Sequence, residues 1–198
     1  PLDELLAHTW TRLCFEHGTM RWSDWLRYWR GRDELPPRVD LARATARWTQ
    51  RPSRARIVTD HSRLPREVGV RHLPDRQIPG ADAAELARRI APLVGLLAPA
   101  EQRPPTMARM LGSPVVRTGV ARVAVPPSER AWIERAAERV QREMRRAGYP
   151  VVGDLTDLTP RFDVGKVDDH QGLDQQVLDL AVRMLVDGTL TTTGRSTR

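Results

Sequence analysis

The chain has 198 residues, 40% of them hydrophobic, which is enough to bury the core of one domain. No run of about 18 uninterrupted apolar residues occurs, and the first residues lack the pattern of a signal peptide, so we expect a cytoplasmic protein without membrane contact. The single cysteine, Cys14, excludes an internal disulfide framework.

The net charge of +7 raises the possibility of an anionic partner such as nucleic acid. Of the 32 basic residues only Lys166 is a lysine, a skew towards arginine that GC-rich coding produces without selection for an anion. Residues 1–125 hold 21 arginines against 13 acidic residues, whereas residues 126–198 hold 11 basic against 12 acidic residues. Any anion-binding surface is therefore expected in the first two thirds of the chain.

Three short helices are predicted before the first strand. Apolar residues recur at helical spacing over residues 2–17. Ser23 can cap a second helix, which Gly31 is expected to end, and Asp40 can cap a third helix that runs through Trp48.

Residues 55–59 are short and β-branched and predict a strand, either of a parallel sheet or at the edge of a mostly helical protein. Residues 60–80 show no periodicity and contain three prolines, which predicts a long loop. Asp60 and His61 stand where this loop leaves the strand, a position that often carries catalytic groups. The simpler interpretation is that both are surface polar residues.

Asp82 and Glu85 form a capping-box pattern at the start of a helix that runs through residue 97, with Pro92 expected to kink or split it. Residues 101–105 are predicted to be a linker. Glycine and proline interrupt the apolar residues of 107–125, which we interpret as irregular.

Residues 126–160 carry the clearest pattern in the chain. After two prolines, Ser128 can cap a long amphipathic helix that Gly148 ends in the left-handed conformation, and Val151 and Val152 then predict a short strand. A last amphipathic helix begins at Leu173 and stops near residue 188. We therefore expect one domain over residues 1–188 and a disordered tail over 189–198.

The long Arg/Glu helix followed by AGYPVVGDLTDLTP resembles the C-terminal end of bacterial sulfotransferase-family proteins, which often close with a G-Y-x-V-V-G-D-L-x-x-L segment, here residues 148–158. The sequence WSDWLRYW, residues 22–29, is similar to a helix that follows the 3′-phosphate-binding segment of such proteins. The patterns along the chain predict a predominantly α protein with a few short strands. The resemblance implies that it is part of a three-layer α/β (P-loop) domain whose N-terminal half lies before Pro1 or is absent.

The resemblance also implies sulfuryl transfer from 3′-phosphoadenosine 5′-phosphosulfate, held by a glycine-rich loop. No G-x-x-x-x-G-K-[ST] motif occurs, and Gly165-Lys166 is followed by Val167. Arg117 and the two residues after it only faintly resemble the family's contact to the 3′-phosphate. We therefore assign no catalytic, cofactor-binding or metal residue, and we expect this chain alone not to bind the donor.

Two other groups of side chains could carry chemistry. Cys14 and His17 have a spacing that can bind zinc, with His61 or His72 completing the site, although a buried thiol is the simpler interpretation. Five tryptophans with nearby arginines could stack bases and contact phosphates, although helical spacing favours a core; these are Trp10, Trp22, Trp25, Trp29 and Trp48 with Arg21, Arg27, Arg30 and Arg32. The alternative function is therefore a non-enzymatic basic module that binds nucleic acid or another anionic partner.

Overall fold

The computed structural model describes residues 1–16, 18–49, 51, 54–73, 79–117, 122–162, 166–167 and 173–188. The described part is predominantly helical, as predicted. Its α-helices are α1 (Leu2–Phe15), α2 (Trp22–Arg32), α3 (Leu41–Trp48), α4 (Leu64–Glu67), α5 (Ala81–Leu97), α6 (Arg103–Gly112), α7 (Pro114–Arg117), α8 (Pro127–Ala147) and α9 (Leu173–Val186). The predicted tail, residues 189–198, lies outside the described residues.

Four two-residue strands form two parallel pairs in the described part of the chain. Strand β1 (Ile57–Val58) pairs with β3 (Val151–Val152), and β2 (Arg122–Val123) pairs with β4 (Lys166–Val167). The predicted extended segment at 151–152 is therefore confirmed, and the strand predicted at 55–59 is confirmed over residues 57–58 only. Their pairing with each other was beyond what local pattern could predict.

The chain divides into two compact units. The first comprises Pro1–Thr9, Ser23–Arg76 and Val125–Val164, and the second comprises Trp10–Trp22, Gln77–Ala124 and Gly165–Arg198. The boundary falls within α1 and at the start of α2, so both units draw on the amino-terminal helices.

Helix α8, with 21 residues, supplies a long apolar face to the first unit. The apolar residues that recur at helical spacing, which we call the α8 stripe, are buried; they are Trp132, Ile133, Ala136, Ala137, Val140 and Met144. The left-handed Gly148 (φ 70°) ends the helix as expected. The helix contacts α3 and the 3-10 helix Leu155–Leu158 that follows β3. Burial of this stripe against α3 and the 3-10 helix therefore positions β3.

The second unit is built on the packing of α5 against α9. Small residues of α5 are buried along its first half, and α9 buries Leu173, Val177, Leu180 and Met184. Glu85 is buried on α5 and binds Arg88 and Arg89, and Arg89 also pairs with Asp174 of α9. Burial opposes ionisation of Glu85, but these two guanidinium groups outweigh it and lower the Glu85 pKa.

Several local predictions about helix ends are wrong. Ser128 lies inside the first turn of α8 and donates to Glu129 without capping the helix, because Pro126 occupies the N-cap. Asp82 and Glu85 form no capping box, since Gly80 is the N-cap and Glu85 is held by arginines. Gly31 lies within α2. The Asp40 cap is confirmed by its bond from the Arg43 amide, at 3.0 Å.

Two segments expected to lack regular structure contain helices. The predicted loop at 60–80 includes a 3-10 turn at His61–Arg63 and α4, and the predicted linker and irregular segment at 101–125 include α6, α7 and β2. Proline stands at the start of α4 and α6, where its missing amide costs no helical hydrogen bond. Helix α5 continues past Pro92 to Leu97. Among the helices described, none has the length and apolar character that crossing a membrane requires.

Replacing Ile133 by alanine tests the importance of the α8 stripe. Ile133 is fully buried, so Ile133→Ala should lower the free energy of unfolding by about 2–5 kcal/mol through lost burial and a cavity. The neighbouring exposed residue provides the control, since Glu134→Ala should change it by less than about 0.5 kcal/mol. Urea denaturation followed by circular dichroism measures both. Equal changes in the free energy of unfolding would show that burial of the stripe does not stabilise the first unit.

Candidate functional site

The carboxyl ends of β1 and β3 bring two polar segments together in the first unit. Ile57 pairs with Val151 and Val58 with Val152, and the Thr59 amide continues the ladder by donating to the Val152 carbonyl at 3.0 Å. Because the strands are parallel, both segments leave the sheet at the same edge. In parallel α/β sheets this edge is the usual place for a binding or catalytic site.

Gly153 allows the two segments to touch. Its φ of +108° is unfavourable for residues with a side chain. A Cβ atom at this position would lie 2.2 Å from the Thr59 Oγ1 and 2.9 Å from the Asp60 amide nitrogen. Only glycine therefore permits this approach between the segment after β3 and the segment after β1.

Asp157 joins the same two segments through hydrogen bonds. Its Oδ2 accepts a bond from the Thr59 hydroxyl at 2.9 Å and another from the Asp154 amide at 3.3 Å. Asp154 in turn accepts from the Thr156 amide at 2.8 Å, which completes a capping box on the 3-10 helix. The two carboxylates thus fix the loop after β3 and connect it to β1.

Asp60 is engaged on the other side of this contact. Its Oδ1 accepts from the amide and hydroxyl of Ser62, at 3.0 and 2.6 Å, and its Oδ2 pairs with Arg63 at 3.0 Å. The hydrogen bonds from Ser62 hold the Asp60 pKa below its usual value, and those from Thr156 do the same for the Asp154 pKa. Both groups are ionised at neutral pH, whereas a general base works best with a pKa near the working pH.

We call these residues the strand-end cluster: Thr59, Asp60, Ser62, Gly153, Asp154 and Asp157. Its side chains bind one another and the neighbouring backbone. Chemically, this arrangement fixes where two chain segments leave a sheet, and its ionised carboxylates favour cations over phosphate. The interpretation of Asp60 as a surface polar residue is supported by its local bonds. The side chain of His61 lies outside the described part.

The proposed zinc ligands do not form a site among the described residues. Cys14 is only 1% exposed, and burial, followed by the negative charge of Glu85, raises its thiol pKa to about 12. His72 is exposed, and His17 lies outside the described residues. Within the described part of the chain, no three potential ligand side chains come together. The interpretation of Cys14 as a buried thiol is confirmed.

The tryptophans are mainly core residues, as their spacing predicted. Trp10, Trp22 and Trp25 are each less than 10% exposed. The Trp10 and Trp22 rings lie 5.6 Å apart, and the Trp22 indole donates to the Ala124 carbonyl at 2.7 Å. Trp48 differs, since it is 89% exposed at the end of α3. Trp29 is half-buried, and its ring centre lies 6.3 Å from that of Trp25 and 5.2 Å from that of Tyr28. Trp10, Trp22 and Trp25 are therefore too buried to stack on bases.

The residues considered for phosphate contact are separated from the strand-end cluster in sequence. Arg117 ends α7 and Lys166 begins β4, while Thr118, Gly119 and Gly165 lie outside the described residues.

The contact between Gly153 and Thr59 and the bond from Thr59 to Asp157 were not predicted from the sequence. One signal for the contact was present in the sequence, because a glycine directly after a valine strand often marks a close approach of another backbone. The partner segment could not be identified from that signal, since the ladder joins Thr59 to Val152, which lies 93 positions away in the chain. Only the tertiary fold identifies such a distant partner.

Comparison of the chain with protein-family models, with curated proteins and with solved structures finds no match.

Replacing Gly153 by alanine tests the close approach at the strand-end cluster. Because the added Cβ would overlap Thr59, Gly153→Ala should lower the free energy of unfolding by at least about 2 kcal/mol. Gly148→Ala is the matched control, since it also places alanine at a positive φ but in open space, and it should cost about 1 kcal/mol. Urea denaturation measures both free energies of unfolding. Equal losses would mean that overlap of the added Cβ with Thr59 adds nothing to the cost of a positive φ.

The burial of Cys14 predicts slow reaction with thiol reagents. With a pKa of about 12, only about one thiol in ten thousand is ionised at pH 8, and the side chain is also inaccessible. The folded chain should therefore react with a chromogenic disulfide reagent far more slowly than the same chain in urea. Reaction of the folded chain at the rate of an ordinary exposed thiol would show that Cys14 is accessible.

Proposed function

We propose that this chain is the latter part of a sulfotransferase-like protein. In this proposal it supplies helices and two strands of a three-layer α/β domain, and another part of the protein holds 3′-phosphoadenosine 5′-phosphosulfate. The observation that carries the proposal is the parallel pairing of β1 with β3, the strand inside the sulfotransferase-like segment 148–158.

The pairing supports the proposal because of how parallel sheets are built. Parallel strands need long crossover connections, and their sheets are normally larger than two strands and covered by helices. Here β3 directly follows α8, and β1 and β3 are joined by a connection that includes several helices. The outer edges of such a small sheet can pair with further strands. Strands from a phosphate-binding part would complete the three-layer arrangement.

The chemistry of sulfuryl transfer explains why a second part is needed. Negative charge accumulates on the leaving phosphate, so the donor site needs backbone amides or cationic side chains directed at it. The strand-end cluster instead presents ionised Asp60 and Asp154, which would repel a phosphate. Because the sequence also contains no glycine-rich phosphate-binding motif, we place the donor site outside this chain and assign none of its residues a catalytic role.

The alternative, a module that binds nucleic acid, receives less support from the arginines of α2. Arg27 pairs with Asp24 at 2.8 Å, and Arg30 pairs with the buried Glu129 at 3.3 Å. Arg32 lies over the Tyr28 ring, with its guanidinium carbon 3.9 Å from the ring centre. Phosphate contacts by these side chains would compete with existing interactions.

Isothermal titration with 3′-phosphoadenosine 5′-phosphate, the product form of the donor, tests the proposal. The chain alone should show no binding at ligand concentrations up to about 1 mM. In this proposal the full reading frame also encodes a phosphate-binding part, so its product should bind the same ligand. Micromolar binding by the chain alone, or no binding by the product of the full reading frame, would contradict the proposal.

The same samples distinguish the alternative function. Affinity for single-stranded DNA that falls about tenfold or more between 50 and 200 mM salt would indicate several phosphate contacts and favour a nucleic-acid module. We expect no such binding. The measurement is fluorescence anisotropy of a labelled oligonucleotide, with a neutral peptide nucleic acid as the control ligand.

A further inference from the structure

Helix α9 carries two apolar stripes, and only one of them is covered. Leu173, Val177, Leu180 and Met184 are buried. On the other side the exposed fractions are 57% for Leu178, 50% for Val182, 55% for Leu185 and 81% for Val186. At about 100° per residue, the centres of the two stripes lie about 150° apart round the helix. A helix that is apolar on opposite sides is normally buried on both.

From this surface we infer that α9 joins two copies of the chain in an antiparallel dimer. We call the exposed residues Leu178, Val182, Leu185 and Val186 the outer stripe. The inference rests on the symmetry of this stripe and does not depend on the sulfotransferase-like proposal.

Three residues of the outer stripe, Leu178, Val182 and Leu185, match themselves across a two-fold axis placed at Val182, and Val186 lies on the other flank. Such an axis, perpendicular to the helix, brings each flank of one helix against the same flank of its copy. Leu178 lies four residues before Val182 and Leu185 three residues after it, both on one flank. With a rise of 1.5 Å per residue, Leu178 then meets Leu185 of the second copy with an axial offset of about 1.5 Å.

Charges on the other flank are complementary in the same arrangement. Asp179 and Arg183 lie together on the flank opposite Leu178, where Gln175 donates to the Asp179 carboxylate and Arg183 donates to the Asp179 carbonyl. The axis places Asp179 about 3 Å along the helix from Arg183 of the second copy. That offset is within reach of an ion pair. A parallel dimer would instead place this charged flank against the leucine flank of its copy, which would bury charge against apolar side chains.

The area of the patch fits a dimer of moderate affinity. The outer stripe exposes on the order of 400–500 Å² per chain, and its polar flanks extend it towards the roughly 800 Å² that each partner contributes to a standard interface. A dissociation constant in the micromolar range is therefore expected.

Sedimentation velocity at about 5–100 µM protein tests the inference in this concentration range. The unmodified chain should show a monomer–dimer equilibrium. Val182→Asp places two carboxylates at the axis and should weaken dimerisation at least about tenfold. Leu96→Asp is the matched control, because Leu96 is 82% exposed on α5 and should leave the dimer unchanged. Circular dichroism confirms that each variant is folded.

A charge exchange tests the antiparallel arrangement. Asp179→Arg alone and Arg183→Asp alone should each weaken the dimer several-fold, and the double variant should restore it. A monomeric unmodified chain at about 100 µM would overturn the inference and indicate that another part of a longer protein, or a different partner, covers the outer stripe. The inference would also be overturned if Val182→Asp and Leu96→Asp changed the dissociation constant of the dimer equally, or if the double variant still dimerised weakly.

Discussion

The pairing of β1 with β3 depends on interactions made outside the sheet. Each strand has two residues, and a backbone hydrogen bond contributes only about 0.5–1.5 kcal/mol net, so the ladder cannot hold two distant segments together by itself. Burial of the α8 stripe brings β3 to its position, because the turn at Gly148 leads directly from the helix into the strand. The candidate site exists only because this packing succeeds.

The strand-end cluster then fixes the two segments after they meet. Gly153 provides the space, and Asp157 binds the Thr59 side chain and the Asp154 backbone amide. Because these groups belong to one hydrogen-bond network, removing one leaves another without its hydrogen-bond partner. The effects of substituting them on the free energy of unfolding should therefore not be additive. Asp154 and Asp157 therefore have a structural role in the loop after β3.

The two units use charge and apolar surface differently. In the first, the arginines of α2 are engaged by Asp24, Glu129 and Tyr28, so the basic character of the sequence does not translate into a cluster of uncommitted cations on this helix. In the second, the ionised carboxylate of buried Glu85 forms ion pairs with Arg88 and Arg89, whereas α9 leaves an apolar stripe exposed. The charge and the apolar periodicity of the sequence thus locate different surfaces, the arginines of α2 in the first unit and the exposed stripe of α9 in the second.

The sequence by itself determined the amphipathic helices, the end of α8 at Gly148, the Asp40 cap and the short valine strand, because each depends on residues a few positions apart. It misplaced the caps at Ser128 and Asp82 and missed α4, α6 and α7, where short apolar patterns and prolines are ambiguous. Only the tertiary structure decided that β1 pairs with β3, that Gly153 meets Thr59 and that the outer stripe of α9 stays exposed. These features join residues far apart in the chain, or depend on which face a neighbour covers, and no local pattern specifies either.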